Sequence, residues 1–156
     1  MFLSFGFSQE WTRWVLALTS TAFFFILVNV FISTTFSSSI GIRQGDPLSP
    51  FLIIIMAEGL SRMLKDKISV GSLRGLSLHD DHHLSYQHYF DDNLLFWHPS
   101  VQEAHIINKK LYSFSVSSGT TINIDKSHIF FFNMDTITQC NAAHILGFSV
   151  STLPYK

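Results

Sequence analysis

The chain has 156 residues, which is enough for one domain with its own hydrophobic core. It is 47% hydrophobic and only 13% charged, with a formal net charge of −1, whereas an independent nucleic-acid-binding domain is usually basic. Its basic residues are scattered along the chain, with Lys109 and Lys110 as the one adjacent pair, which excludes a complete nucleic-acid-binding surface. Its single cysteine, Cys140, excludes an internal disulfide and favours a reducing intracellular compartment, cytoplasmic or nuclear.

The first distinctive segment is a long uncharged stretch between Trp14 and Ile42. Within it, residues 14–32 are long and apolar enough to span a bilayer, so a membrane-associated protein is one interpretation. The β-branched and aromatic character of residues 22–32 instead predicts buried strands. We therefore predict strands in this segment and no membrane partner.

A long helix is predicted next. Asp46 can cap free backbone N–H groups, and Pro47 fits the first helical position, so the helix is expected to start at Pro47 and to run to about residue 67. Its predicted buried side chains are Leu48, Phe51, Leu52, Ile55, Leu60 and Met63. The Gly-, Ser- and His-rich residues 68–83 predict a loop, whose HDDHH run at 79–83 is a weak hint of zinc binding.

Two adjacent carboxylates, Asp91 and Asp92, lie between apolar runs in a predicted β-hairpin over residues 84–97. Together with Asn93 they are turn-forming residues, so they are expected at the tip of the hairpin. Like charges are costly to bury unless something neutralises them, and Mg²⁺ prefers hard oxygen ligands. The pair is therefore a candidate metal site, and a plain solvated turn is the alternative.

The remaining sequence predicts another helix and short strands. Ser100 and Glu103 form a capping-box pattern at the start of that helix, and Gly119 fits its end. Residues 122–124 and 129–132 are predicted to be strands. Helices packed on one face of a mostly antiparallel sheet would give an α+β fold.

Five segments, in this order, resemble the reverse transcriptase palm of LINE-type (non-LTR) retrotransposons. They are MFLSFGFSQEWTRWV at 1–15, GIRQGDPLSP at 41–50, YFDD at 89–92, SGTTINIDKSHIFF at 118–131 and HILGFSVSTLP at 144–154. The resemblance covers essentially the whole chain, and the ten-residue second segment is its most specific part. It implies a polymerase palm-like fold, as a single partial domain over 1–156 without fingers and thumb.

The resemblance also implies a chemistry and a set of site residues. The family copies an RNA template onto a DNA primer with the help of Mg²⁺. Asp91 matches the carboxylate that ligates metal, and Asp92 supports the same site. The residues that match template-, nucleotide- or phosphate-contacting positions are Arg43, Gln44, Gly45 and Lys126.

Several residues depart from the family pattern. Phe90 stands where a small Ala is usual, Gln87 and His88 occupy strand positions that are normally apolar, and the pair Asn29 and Val30 replaces a usual Asn-Gly turn. We interpret these differences as signs of a degenerate palm.

The segment that carries the family's first catalytic Asp, of the form F-D-x-x-K-A, is not found in the sequence. Glu10 is the only acidic residue before Asp46, and its surroundings do not match. We therefore predict a truncated palm that is inactive alone. Uncovered apolar surface would favour self-association, and a small assembly or binding module is the remaining interpretation.

Overall fold

The structure, a computed structural model, describes residues 2–37, 43, 45–79, 82–89 and 92–152, with the backbone alone at 78, 79, 82 and 83. These residues divide between two compact units, Met1–Met56 and Ala57–Lys156.

The first unit begins with a 3-10 turn, Phe2–Phe5, and the helix α1, Gln9–Ser20. Ser8 caps α1 by accepting a hydrogen bond from the backbone N–H of Trp11 at 3.1 Å. The ring of Phe7 stacks on that of Trp11, with centroids 4.2 Å apart. The cap and the ring stack together fix the direction in which the chain enters α1.

The uncharged segment then forms short paired strands, as predicted. Strand β1, Phe23–Phe24, pairs antiparallel with β4, Phe36–Ser37, and β2, Leu27–Val28, pairs antiparallel with β3, Phe31–Ile32. The prediction that these strands are buried is wrong, because the side chains of β2 and β3 are all exposed. In the part of the chain that the structure describes, no helix has the length and hydropathy needed to cross a membrane.

Helix α2, Ser49–Ser69, begins two residues later than predicted. Asp46 Oδ1 accepts from the backbone N–H of Leu48 at 2.8 Å, so Asp46 and Pro47 form a turn that precedes the helix. Leu52 and Leu60 are buried as predicted, whereas Phe51 is 64% exposed. The other predicted core positions, Leu48, Ile55 and Met63, are half-buried.

The core of the second unit lies where α2 meets two further helices, α3, Val101–Ser118, and α4, Thr136–Leu146. Ser100 caps α3 and Gly119 ends it with a left-handed φ of 72°, which confirms both predicted ends. The buried apolar residues of this core are Leu60, Leu64, Leu73, Ile107, Leu111, Ile129 and Leu146.

The strands of the second unit also form pairs. Strand β5, Leu76–His79, pairs antiparallel with β6, His82–Leu84, which corrects the prediction of a loop over 68–83. The pairing is possible because Gly75 has no side chain: a Cβ there would lie 2.7 Å from the carbonyl oxygen of Leu84. The next pair is β7, Tyr86–Tyr89, with β8, Asp92–Leu95.

The last strands pair in parallel, β9, His128–Ile129, with β10, Ser149–Val150. The strand predicted over 122–124 is wrong, because Asn123 caps a 3-10 turn, Ile124–Lys126, through a side-chain bond to the N–H of Lys126. The α+β class is confirmed, but the described strands form separate two-stranded pairs and not one antiparallel sheet.

Candidate functional site

The acidic hairpin predicted over 84–97 is present as the strand pair β7 and β8. The pairs are Tyr86↔Leu95, Gln87↔Leu94, His88↔Asn93 and Tyr89↔Asp92. Asp92 is the first residue of β8, and its pair with Tyr89 is the last one before the connection, so Asp92 lies at the end of the hairpin where the tip was predicted. Asp91 and Phe90 lie outside the described residues.

The two faces of this hairpin carry different side chains, because successive residues of a strand point to opposite faces. Tyr86 and Leu95 pack against the core of the second unit, and they share their face with His88 and Asn93. Asp92 belongs to the opposite face and is exposed, as are its neighbours there, Gln87, Tyr89 and Leu94. The apolar sequence around Asp92 thus does not bury its carboxylate, so the expected cost of burying a charge does not arise for it.

A small hydrogen-bonded group occupies the core-facing side of the hairpin. The hydroxyl of Tyr86 donates to Oδ1 of Asn93 at 2.7 Å, and Nδ1 of His88 lies 2.9 Å from the same oxygen. Since an amide oxygen only accepts hydrogen bonds, Nδ1 carries the proton in this arrangement. Burial raises the pKa of Tyr86 to about 12, so its hydroxyl stays a neutral donor. Sequence reasoning missed this group because it assigned Asn93 to the turn.

The predicted template loop belongs to the first unit. Arg43 is exposed, and the central carbon of its guanidinium lies 5.6 Å from the ring centroid of Phe24. Its carbonyl accepts from the hydroxyl of Ser49 at 2.6 Å, which ties the loop to the start of α2. Gly45 has a φ of +79°, and nothing lies within 4 Å of the position where a Cβ would be. Glycine suits this position because of its backbone conformation, and Gln44 lies outside the described residues.

Lys126 belongs to the second unit and ends the 3-10 turn that Asn123 caps. Its side chain is exposed. Within the described residues, no ion pair joins Lys126 to Asp92. Two of the predicted site residues, Asp92 and Lys126, thus lie in the second unit, while Arg43 and Gly45 lie in the first.

The described residues do not by themselves form the predicted Mg²⁺ site. Among them, no group of three His, Cys, Asp or Glu side chains is placed to hold a metal ion. Asp92 offers one exposed carboxylate, and a stable Mg²⁺ site needs further ligands or bound water. The side chains of the HDDHH run at 79–83 lie outside the described residues.

Comparison with known families identifies the class of protein. A family model described as reverse transcriptase (RNA-dependent DNA polymerase) matches residues 3–150. The match includes the loop of Arg43 and the hairpin of Asp92, so the residues of the candidate site fall inside a nucleic-acid polymerase domain. The chain belongs to the reverse transcriptase family, which confirms that part of the prediction made from its sequence motifs.

Proposed function

We propose that the chain is the palm portion of a LINE-type reverse transcriptase, with Asp91 and Asp92 as its metal-holding carboxylates. The observation that carries this proposal is the position of Asp92 in the reverse transcriptase match. Asp92 begins β8, is exposed, and lies on the face opposite the core of its unit. A carboxylate held on a strand and open to solvent can reach a metal ion bound to nucleotide phosphates.

The same proposal gives the remaining site residues their roles. Arg43, Gln44 and Gly45 contact the RNA template and the incoming nucleotide, and Lys126 contacts a phosphate. Support comes from Arg43, whose carbonyl is held by Ser49 while its guanidinium stays exposed. A guanidinium on a fixed backbone is suited to phosphate recognition. Both units belong to one domain in this proposal, since one family model covers residues on both sides of the boundary.

We further propose that the 156-residue chain alone does not extend a primer. Two-metal nucleotidyl transfer requires several carboxylates that share two ions about 4 Å apart. Asp91 and Asp92 are adjacent in sequence, and we expect them to bind one hydrated Mg²⁺ weakly. A carboxylate from a second strand would have to complete the centre.

Two measurements on the purified chain test these statements. Primer extension on an RNA template with Mg²⁺ or Mn²⁺ should stay at background, and extension that disappears in Asp91→Ala would refute inactivity. Binding of Mn²⁺, followed by electron paramagnetic resonance, should weaken in Asp91→Asn and in Asp92→Asn. The matched control is Asp125→Asn, which removes another exposed carboxylate of the second unit. Equal binding by all variants would refute the metal role.

The exposed apolar side chains of the first unit favour a second role in assembly, through self-association. Phe23, Val30 and Phe31 are 73%, 89% and 79% exposed. Apolar patches of this kind usually mark association surfaces. We expect sedimentation at micromolar concentration to show oligomers that Phe31→Lys reduces. Phe132→Lys is the control, since Phe132 is 68% exposed and lies in the other unit. A monodisperse wild-type monomer would contradict this role.

A further inference from the structure

The apolar residues at the end of β8 and directly after it specify the pairing of β8 with β7 only weakly. Leu94, Leu95 and Phe96 follow one another, and Leu95 is the one that packs against the core of the second unit. A slip of one residue would bring Leu94 or Phe96 to the place of Leu95. Both are apolar, so the hydrophobic effect alone distinguishes poorly between these registers.

Asn93 does distinguish them. In the observed register it lies opposite His88, and its Oδ1 meets both the hydroxyl of Tyr86 and Nδ1 of His88. A slip of one residue would move the Asn93 side chain to the other face of the hairpin. Two half-buried polar groups, those of Tyr86 and His88, would then lose their shared acceptor, which is unfavourable.

The same slip would carry Asp92 to the core-facing side of the hairpin. There its carboxylate would be turned away from solvent, on the side where the ring of Tyr86 packs on the core. The position of Asp92 therefore depends on the register that Asn93 specifies.

We propose that Tyr86, His88 and Asn93, which we call the Asn93 network, fix the register of the hairpin and thereby hold Asp92 on its solvent-facing side. They are positioning residues, and their importance for metal binding rests on the proposed role of Asp92. His88 has a hydrogen-bond partner in this hairpin because Asn93 lies opposite it.

Disulfide trapping can read out the register directly. Gln87 and Leu94 are opposite each other on the solvent-facing side. Opposite residues of antiparallel strands have Cα atoms about 4.5–5.5 Å apart, which suits a disulfide. We would introduce Gln87→Cys and Leu94→Cys together with Cys140→Ser, oxidise the full chain with diamide, and quantify the cross-linked peptide by mass spectrometry. After a slip of one residue the two thiols face opposite sides and cannot join.

With an intact Asn93 network we expect efficient cross-linking. Asn93→Ala should lower the yield by about three- to tenfold, since it removes the acceptor of two donors. Tyr86→Phe keeps the ring and removes one hydrogen bond, so it should lower the cross-linking yield less than Asn93→Ala does. It replaces Asn93→Ala in the test if the circular dichroism of Asn93→Ala shows that this variant does not fold. Tyr112→Phe is the control, because it removes an exposed hydroxyl from α3, outside the hairpin, and should leave the yield unchanged.

The inference is overturned if Asn93→Ala and Tyr86→Phe cross-link as well as the chain with the intact network, or if Tyr112→Phe lowers the yield as much as Tyr86→Phe. Mn²⁺ binding separates this result from the proposed function. If cross-linking falls in Asn93→Ala while Asp92→Asn leaves Mn²⁺ binding unchanged, the register inference holds and the metal role fails. If Asp92→Asn weakens Mn²⁺ binding while Asn93→Ala leaves cross-linking unchanged, the metal role holds and the register inference fails.

Discussion

The carboxylate of Glu103 accepts a hydrogen bond from the backbone N–H of Arg74 at 3.1 Å and another from Nε of Arg74 at 3.3 Å. The Glu103 side chain is only 6% exposed, whereas that of Arg74 is 66% exposed. Glu103 is thus a buried carboxylate whose hydrogen bonds connect the segment between α2 and β5 to the first turn of α3. Its own backbone N–H donates to Ser100, as the capping pattern predicts, but its side chain serves a residue 29 positions earlier.

We expect Glu103→Ala to lower the free energy of unfolding by about 1–3 kcal/mol, because it leaves the backbone N–H of Arg74 without its acceptor. Urea denaturation followed by circular dichroism measures this loss. The control is Glu58→Ala, which breaks the exposed Glu58–Arg62 pair at 2.9 Å within α2. Such pairs contribute about 0.5 kcal/mol or less. Equal losses in the two variants would show that burial of Glu103 has no energetic consequence.

The turn between β2 and β3 should become more stable in Val30→Gly. Asn29 and Val30 connect the paired residues Val28 and Phe31, and both have positive φ, 49° and 73°. A β-branched residue is strained there, and glycine is not, so the gain should be about 1 kcal/mol after the greater chain entropy of glycine is subtracted. Thermal unfolding of the two proteins measures it.

Asn29→Gly is the comparison for this turn, since asparagine already tolerates positive φ and little should be gained. A Val30→Gly protein that melts at or below the wild-type temperature would contradict the strain argument.

The acid limb of the stability curve should depend on Asp135, which caps α4. The hydrogen bond from the backbone N–H of Thr138, and next that from its hydroxyl, hold the pKa of Asp135 below its ordinary value of 3.8. A carboxyl whose pKa is lower in the folded state stabilises the protein fully above the unfolded value and loses this contribution as pH falls through the folded value.

In Asp135→Asn the cap is kept without a titrating group. We therefore expect a flatter decline in unfolding free energy below pH 3.8 than in the wild type. Urea unfolding at several pH values from neutral to strongly acidic gives the comparison, and parallel curves for the two proteins would show that Asp135 makes no pH-dependent contribution.

The stability of the protein at alkaline pH should depend on the ionisation of Tyr86. Burial raises its pKa from 10.0 to about 12, so the folded state favours the neutral phenol. Its contribution to stability is complete below pH 10 and is lost as pH rises towards 12. The absorbance of tyrosinate should show one late-titrating tyrosine that is missing in Tyr86→Phe. If the difference between the two titrations is centred near pH 10, Tyr86 is not protected by burial.

Features that depend on neighbouring residues could be predicted from the sequence. Both ends of α3 follow from Ser100 and Gly119, because a cap acts on backbone groups within a few residues. The apolar runs around the acidic pair indicated a hairpin, and the ordered motifs indicated the reverse transcriptase family that the family model confirms.

Features that join distant parts of the chain depend on its tertiary packing and could not be predicted. Leu64 is buried and Phe51 exposed on the same apolar helix, because burial depends on which face the other elements cover. Asn93, a turn-forming residue by local preference, lies in β8, because pairing with His88 gives its side chain two donors across the strands. The side chain of Glu103 likewise bonds to Arg74 and not to the cap of its own helix, because packing brings these two segments together. A hydrogen bond between segments exists only after packing brings them together, and no local pattern encodes it.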